Sequence, residues 1–266
     1  MIKKFIPNTI LRILVYLLLI VPTGLFLLVT LGYFAYLFWP HDLTKIIAVE
    51  LDHESQHIVL TAHGVKDSPD NWGVPLLAAI NSHSPANHSS ANIDWRPYSD
   101  NPLICSVVAK RIGEAIAERI VAETKIKSIH AIGHSCGAFI IYGISQRIES
   151  LQSDIRVQTT FLDPVSIYAG VFWNYGIENF GRFAEFSDAY IDTEDGVPGS
   201  NKALSHSVTF DVTKIKHDRG IKIAPHNWPP HYYIGAYKSD QVLLLSNDNQ
   251  QLSQLPKGEL IEPKDS

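Results

Sequence analysis

The sequence predicts an α/β protein, a mostly parallel sheet with helices on both faces, preceded by one N-terminal transmembrane helix. Three observations carry that reading. Short apolar runs alternate with amphipathic segments from about residue 57 to residue 164, and strands separated by helices need crossover connections, hence parallel pairing. Residues able to do chemistry stand where those apolar runs end, as at the carboxyl edge of a parallel sheet. The stretch from Ile13 to Pro40 contains no charged residue.

The amino-terminal run comes first. As a helix rising about 1.5 Å per residue, Ile13–Pro40 is long enough to cross a hydrocarbon core of roughly 30 Å. Pro22 and Gly24 lie inside it, where membrane helices tolerate them. Tyr33, Phe34, Tyr36, Phe38 and Trp39 crowd its far end like an interfacial aromatic belt. The run exceeds the apolar core of a usual signal peptide, and no small-x-small cleavage site follows, so a retained anchor over 1–40 is expected. Lys3, Lys4 and Arg12 precede the run and His41-Asp42 follow it. The positive-inside rule then places the amino terminus in the cytoplasm and the remainder outside, in a periplasm, lumen or extracellular space. Asn87-His88-Ser89 is a glycosylation sequon, meaningful only in a eukaryote.

A single domain is expected over 41–240, with a polar tail over 241–266. HIVLTAH (57–63) reads as a buried strand ending at Gly64, and 70–83 as a short helix with Asp70 near its start. SANIDWRPYS (90–99) reads as a second strand that runs into a loop at Pro97. Residues 104–124 place apolar side chains at helical spacing. Then follow a strand over 127–134, a helix over 136–148, and a strand over 157–164. Two further strand candidates, 183–192 and 206–213, come after a looser stretch.

Composition narrows the function classes. A net charge of −5 and an isoelectric point near 6.2 supply no basic face for nucleic acid. Two cysteines make no disulfide framework and no zinc spacing; Cys105 reads as a small buried residue on a helix. His83 and His88 lie in the turn-rich NSHSPANHSS, which reads as a solvated loop rather than a metal site.

At the centre of the chain stands Gly133-His134-Ser135-Cys136-Gly137. A G-x-S-x-G match alone is common by chance. Here a strand precedes it and a helix follows, which is the context a nucleophilic serine needs. The serine sits at a strained backbone angle on a tight turn, and side chains at Gly133 and Gly137 would strike the neighbouring strand and helix. Serine needs a base to take its proton and a carboxylate to hold that base. Asp163, in FLDPV, ends the next strand and is the preferred acid; Asp192 and Asp195, in YIDTEDGVP, are its competitors. His226, in PHNWPPHYY, is the preferred base over His231 and the more distant His217. Backbone N–H groups should hold the developing oxyanion, one from Cys136 and one from the His63-Gly64-Val65 turn, with Val65 the preferred donor.

These segments together resemble the neutral lipases of the pancreatic type, members of the α/β-hydrolase fold. HGVKDSPDNW is similar to that family's oxyanion turn followed by a tryptophan, here Trp72. NIDW resembles its next strand and GHSCGAF its nucleophile elbow, with Cys136 where the family usually has leucine. FLDP resembles its acid-bearing segment, which favours Asp163, and HNWPPHYY its histidine segment, which favours His226. The resemblance spans roughly residues 57–234. The chain lacks the family's cysteine richness and has no room for its carboxy-terminal lipid-binding domain. Between acid and histidine the family carries a lid; here Tyr168, Phe172, Trp173, Tyr175 and Phe180 could cover the site or belong to the core.

The expected function is a membrane-anchored serine hydrolase of carboxylic esters, working through an acyl-enzyme on Ser135. Its partners would be a small-molecule or lipid ester and a membrane, with no metal or organic cofactor. A catalytically silent scaffold that binds a membrane partner is the alternative from another class. An acyltransferase or thioesterase would use the same residues.

Overall fold

The computed structural model describes residues 8–47, 54–82, 87–123, 125–245 and 252–263. It forms two compact units, Met1–His41 and Asp42–Ser266.

In the first unit, α1 (Asn8–Val15), a π-helical turn (Tyr16–Ile20) and α2 (Val21–Leu37) form one continuous helical run. The π turn has a local cause. Pro22 has no N–H to donate, and its ring presses on the carbonyl four residues earlier, at Leu18; the widened turn takes up that misfit. Leu18, Phe26, Leu28 and Leu31 are all exposed, and the stretch Thr9–Leu37 reaches a mean hydropathy of 2.6. A helix apolar all round is suited to lipid. The run is long and apolar enough to cross a membrane, a property it shares with signal sequences. Lys3, Lys4 and His83 lie outside the described residues.

The second unit begins with a short helix α3 (Thr44–Ile47). It then runs β1 (His57–Ala62), α4 (Pro69–Asn81), β2 (His88–Ile93), α5 (Arg96–Ser99), α6 (Cys105–Glu123), β3 (Ser128–His134) and α7 (Ala138–Ser150). It continues through β4 (Arg156–Leu162), α8 (Tyr175–Asn179), β5 (Phe186–Ile191), β6 (Val208–Asp211), α9 (Thr213–Asp218), α10 (Trp228–Lys238) and β7 (Leu260–Ile261). The seven strands form one sheet in the order β2-β1-β3-β4-β5-β6-β7, every described pair parallel. This is the α/β architecture that the sequence predicts, a parallel sheet with helices on both faces.

Residue alternation explains how both faces are covered. Leu162 packs with Trp72 and Leu76 of α4 and Tyr232 and Tyr233 of α10. Its neighbour Phe161 points the other way and stacks on Phe180, with ring centroids 4.8 Å apart. Phe180 in turn meets Phe139 of α7 edge to face at 5.0 Å.

Three features differ from the sequence expectation. The second strand starts at His88, inside the stretch read as loop, and ends at Ile93, while residues 96–99 form a helical turn with Pro97 in its first positions, where a missing N–H costs nothing. The 241–266 stretch, expected as a polar tail, buries Val242 and Leu252 and supplies β7 at the sheet edge. Cys105 and Cys136, expected as two separate residues, are joined in a disulfide. Two lone cysteines 31 residues apart carry no pairing signal in a sequence; the fold supplies it, by bringing the start of α6 to the turn after β3.

The order of strands locates the working edge. From β1 the chain moves outward to β2, then returns past β1 to β3, so β1 and β3 flank the point where winding reverses. Loops diverge there and leave a crevice at the carboxyl ends. Register aligns those ends: Ala62 pairs with Gly133, and His134 with Leu162. The next residues along the chain, His63, Ser135 and Asp163, therefore emerge side by side.

Candidate active site

Ser135 occupies the left-handed region with φ +55°, rare for a residue with a side chain. Close packing holds it there. A Cβ on Gly133 would lie 2.7 Å from the Gly137 carbonyl oxygen, and one on Gly137 would overlap the Ala62 and His63 carbonyl oxygens of β1 and its end. A Cβ on Gly64 would come within 2.7 Å of the Ser135 Cβ, so the 63–65 turn sits directly beside the serine. That neighbourhood suits backbone donors from Val65 and Cys136.

The His63-Gly64 turn is itself clamped. The Trp95 indole N–H donates to the His63 carbonyl at 2.8 Å, and the Trp95 backbone N–H donates to His63 Nε2 at 3.3 Å. His63 Nδ1–H must then donate to the Gly64 carbonyl, 3.0 Å away. Burial pushes the His63 pKa down, consistent with a neutral ring in that tautomer. Thus HG and IDW, separate along the chain, are two sides of one joint.

A continuous hydrogen-bonded chain leads from Ser135. Its Oγ lies 2.8 Å from His226 Nε2, and His226 Nδ1 lies 2.7 Å from Asp163 Oδ2. His226 comes from a 3-10 turn (Pro225–Asn227) just before α10, which Trp228 pins by donating its indole N–H to the Val212 carbonyl at 2.9 Å. Asp163 is fully buried, has φ +46°, and accepts the Asp192 backbone N–H on Oδ1 at 3.0 Å. His134, buried beneath, lies 2.9 Å from the His226 carbonyl through Nε2, and the two rings sit 4.8 Å apart.

A second carboxylate joins this chain. Asp195 Oδ2 is 3.0 Å from the same His226 Nδ1 and accepts the Ser200 hydroxyl at 2.6 Å. Asp192, the other competitor, is engaged elsewhere: Oδ2 meets Lys216 Nζ in a buried ion pair, and Oδ1 accepts the Thr213 hydroxyl at 3.0 Å. His217 is exposed and lies 2.8 Å from Glu194, and His231 is exposed on α10. Neither reaches Ser135.

Electrostatics follows this geometry. Burial opposes a charged His226 ring, yet the hydrogen bonds to Asp163 and Asp195 outweigh it and raise its pKa to about 9. Burial is the leading cause that pushes Asp163 up to about 8, with Asp195 adding to it and His226 opposing. Burial also acts upward on Asp195, but hydrogen bonds from His226, Asp163 and Ser200 hold it well below the usual carboxylate range. Among the described residues, Asp163, Asp195 and His226 are the one group with three metal-ligating atoms close together, all within 4.8 Å. Those atoms are already committed to one another, so the trio is better matched to holding a proton.

No family model matches the chain, and no curated protein matches it. Solved structures do. A Lactobacillus plantarum WCFS1 protein described as a cell surface hydrolase aligns over 77% of this chain and 99% of its own, with 11% identity and a TM-score of 0.46. An acetylxylan esterase aligns over 70% and 98%, with 12% identity and a TM-score of 0.45. The esterase of Pyrobaculum calidifontis aligns over 73% and 78%, with 12% identity and a TM-score of 0.44. At such identities the likeness concerns the fold alone.

The structure thus brings together Ser135, Asp163, His226, Cys136 and the Val65 turn. It adds residues that motif reading passes over. His134 is hidden as the variable position of G-x-S-x-G. The sequence offers Asp195 as a competitor for the acid role, and only the fold shows that it joins Asp163 rather than replacing it. The aromatic stretch after Asp163 divides: Phe180 is core, Tyr168 and Tyr175 stack at 4.6 Å, and Phe172 and Trp173 are exposed.

Proposed function

We propose that this protein is a membrane-tethered serine hydrolase of carboxylic esters. The observation that carries the reading is the chain Ser135 Oγ to His226 Nε2 at 2.8 Å and His226 Nδ1 to Asp163 Oδ2 at 2.7 Å. Ser135 attacks the acyl carbonyl while its proton passes to His226 Nε2; His226 then delivers that proton to the leaving alcohol. The Val65 and Cys136 N–H groups hold the oxyanion, each such donor supporting about 3–4 kcal/mol of transition-state stabilisation. Water, activated by the same imidazole, releases the acid and restores Ser135.

The tether rests on the apolar run Thr9–Leu37, with the hydrolase unit on the far side from Lys3 and Lys4. The Cys105–Cys136 disulfide supports that side, since such bonds persist in oxidising compartments. The short motifs HG, GHSCG, FLDP and HNWPPHYY resemble those of the neutral lipases of the pancreatic type, which supports esters of lipid or small alcohols as the substrate class.

A fluorophosphonate probe is expected to label the full-length protein, and Ser135→Ala to abolish labelling while the fold survives. Undiminished labelling of Ser135→Ala would overturn the proposal. Hydrolysis of a chain-length series of p-nitrophenyl esters then separates an esterase from a lipase.

A further inference from the structure

We infer that the acid partner of His226 is a pair, Asp163 and Asp195 together, sharing one proton, with Asp195 as the positioning residue that carries the negative charge at rest. The inference rests on the reading of Ser135 and His226 as nucleophile and base, and deepens it.

Geometry comes first. One Nδ1–H faces two carboxyl oxygens, at 2.7 Å and 3.0 Å. A neutral or charged imidazole has a single donor at that nitrogen, so both acceptors divide it. Two ionised carboxylates that close repel each other, and a proton held between them removes the conflict. The surroundings rank the two. Asp163 is fully buried and receives one backbone N–H, from Asp192, at 3.0 Å. Asp195 lies nearer the surface and receives the Ser200 hydroxyl at 2.6 Å on the same oxygen that faces His226. The charge is better solvated at Asp195, and the proton is better kept at Asp163.

The groups that face the pair fit a single negative charge. From the end of β5 comes Asp192, neutralised by Lys216 of α9, which also pairs with Glu194 at 3.2 Å. From the end of β3 comes His134, whose Nδ1 looks toward Asp67 at 3.6 Å and whose burial favours the neutral ring. His226 is then the one cation the pair must balance. The pKa directions agree, upward for Asp163 and downward for Asp195.

During turnover the proton of Ser135 Oγ moves to His226 Nε2 and on to the leaving alcohol. The proton between Asp163 and Asp195 stays in place, so the pair keeps one negative charge to balance the imidazolium each time it forms, and no redox partner is involved.

The test uses full-length protein carrying Asp163→Asn, Asp195→Asn or both. Removing the single acid of a one-acid site costs about 10⁴-fold in turnover. Here each single change is expected to cost no more than about 100-fold, because the other carboxylate takes over, and the double change about 10⁴-fold. Asp195→Asn should also move the ascending, acid-side limb of kcat/KM to lower pH, since one of the two acceptors that favour the His226 cation is gone. A residue that merely shaped the loop would not move that limb.

The infrared spectrum of wild-type protein at pH 7 gives a readout without turnover. Wild type minus Asp163→Asn should show a protonated-carboxyl band, with the contribution of buried Asp188 cancelled in the difference. A full 10⁴-fold loss for Asp163→Asn alone, with Asp195→Asn at wild-type rate and pH profile, would overturn the pair. So would the absence of the infrared band. If wild type neither reacts with the probe nor cleaves esters, the proposed function fails, while the band still reports on the pair.

Discussion

The two halves of the site are built in opposite ways. The nucleophile side, 133–137 with the 63–65 turn, is a problem of space. Glycines and a left-handed serine let three backbone segments meet, and each constraint falls on a residue whose type the sequence shows directly. The proton side, Asp163, Asp192, Asp195, Lys216 and His226, is a problem of charge, gathered from the ends of β4, β5 and β6 and the approach to α10. A steric joint has one geometry and fails abruptly. A charged cluster has several protonation states and responds gradually to pH. The difference implies that substitutions on the first side report through folding, and those on the second through titration.

The comparison can be broken hardest at Gly137. Gly137→Val would drive a side chain into the Ala62 and His63 carbonyls, and a loss of more than about 4 kcal/mol is expected, seen as absence of a cooperative unfolding transition. Next in size is Lys216→Met. It leaves Asp192 buried without its cation, at an expected cost of about 3–5 kcal/mol in chemical denaturation. An unchanged midpoint there would mean that the proton side is not organised by charge.

A smaller effect separates stability from activity. Asp163, Asp188 and His226 have folded pKa values raised to about 8, 7 and 9, from ordinary values of 3.8, 3.8 and 6.5. A group with a raised folded pKa stabilises fully below its unfolded value, and that contribution is lost as pH rises through the folded value. The buried His130, lowered to about 3 mainly by desolvation, acts oppositely and loses stability only as pH falls below 6.5. From pH 6.5 to 9 the melting temperature should therefore fall while the rate of probe labelling rises, because His226 must be neutral to accept a proton. The smallest effect is expected for Ser135→Gly, which relieves the positive φ. Stability should rise by no more than about 1 kcal/mol, part of the relief being offset by the freer unfolded chain.

The same contrast explains how much was legible in the sequence. Sheet, helices and elbow follow from short-range patterns: apolar alternation, a glycine two residues either side of Ser135, and small residues where backbones touch. Asp163 and His226 follow from chain order and from motif resemblance. The pairing of Asp195 with Asp163 depends on how far the 193–200 loop folds back. The Cys105–Cys136 bond depends on where α6 begins relative to the elbow. Both are distances between segments that no local pattern encodes, and β7 is a two-residue strand whose identity comes wholly from the edge it meets.

The disulfide has a practical corollary. It closes a covalent ring that holds all of α6 and β3, and the link between them carries Lys125, whose side chain is 68% exposed, and Lys127. A protease that cuts after either lysine opens the ring without dividing the molecule. On a gel the nicked protein should run as one species until a reductant is added, then as two, with the serine on the carboxy-terminal piece.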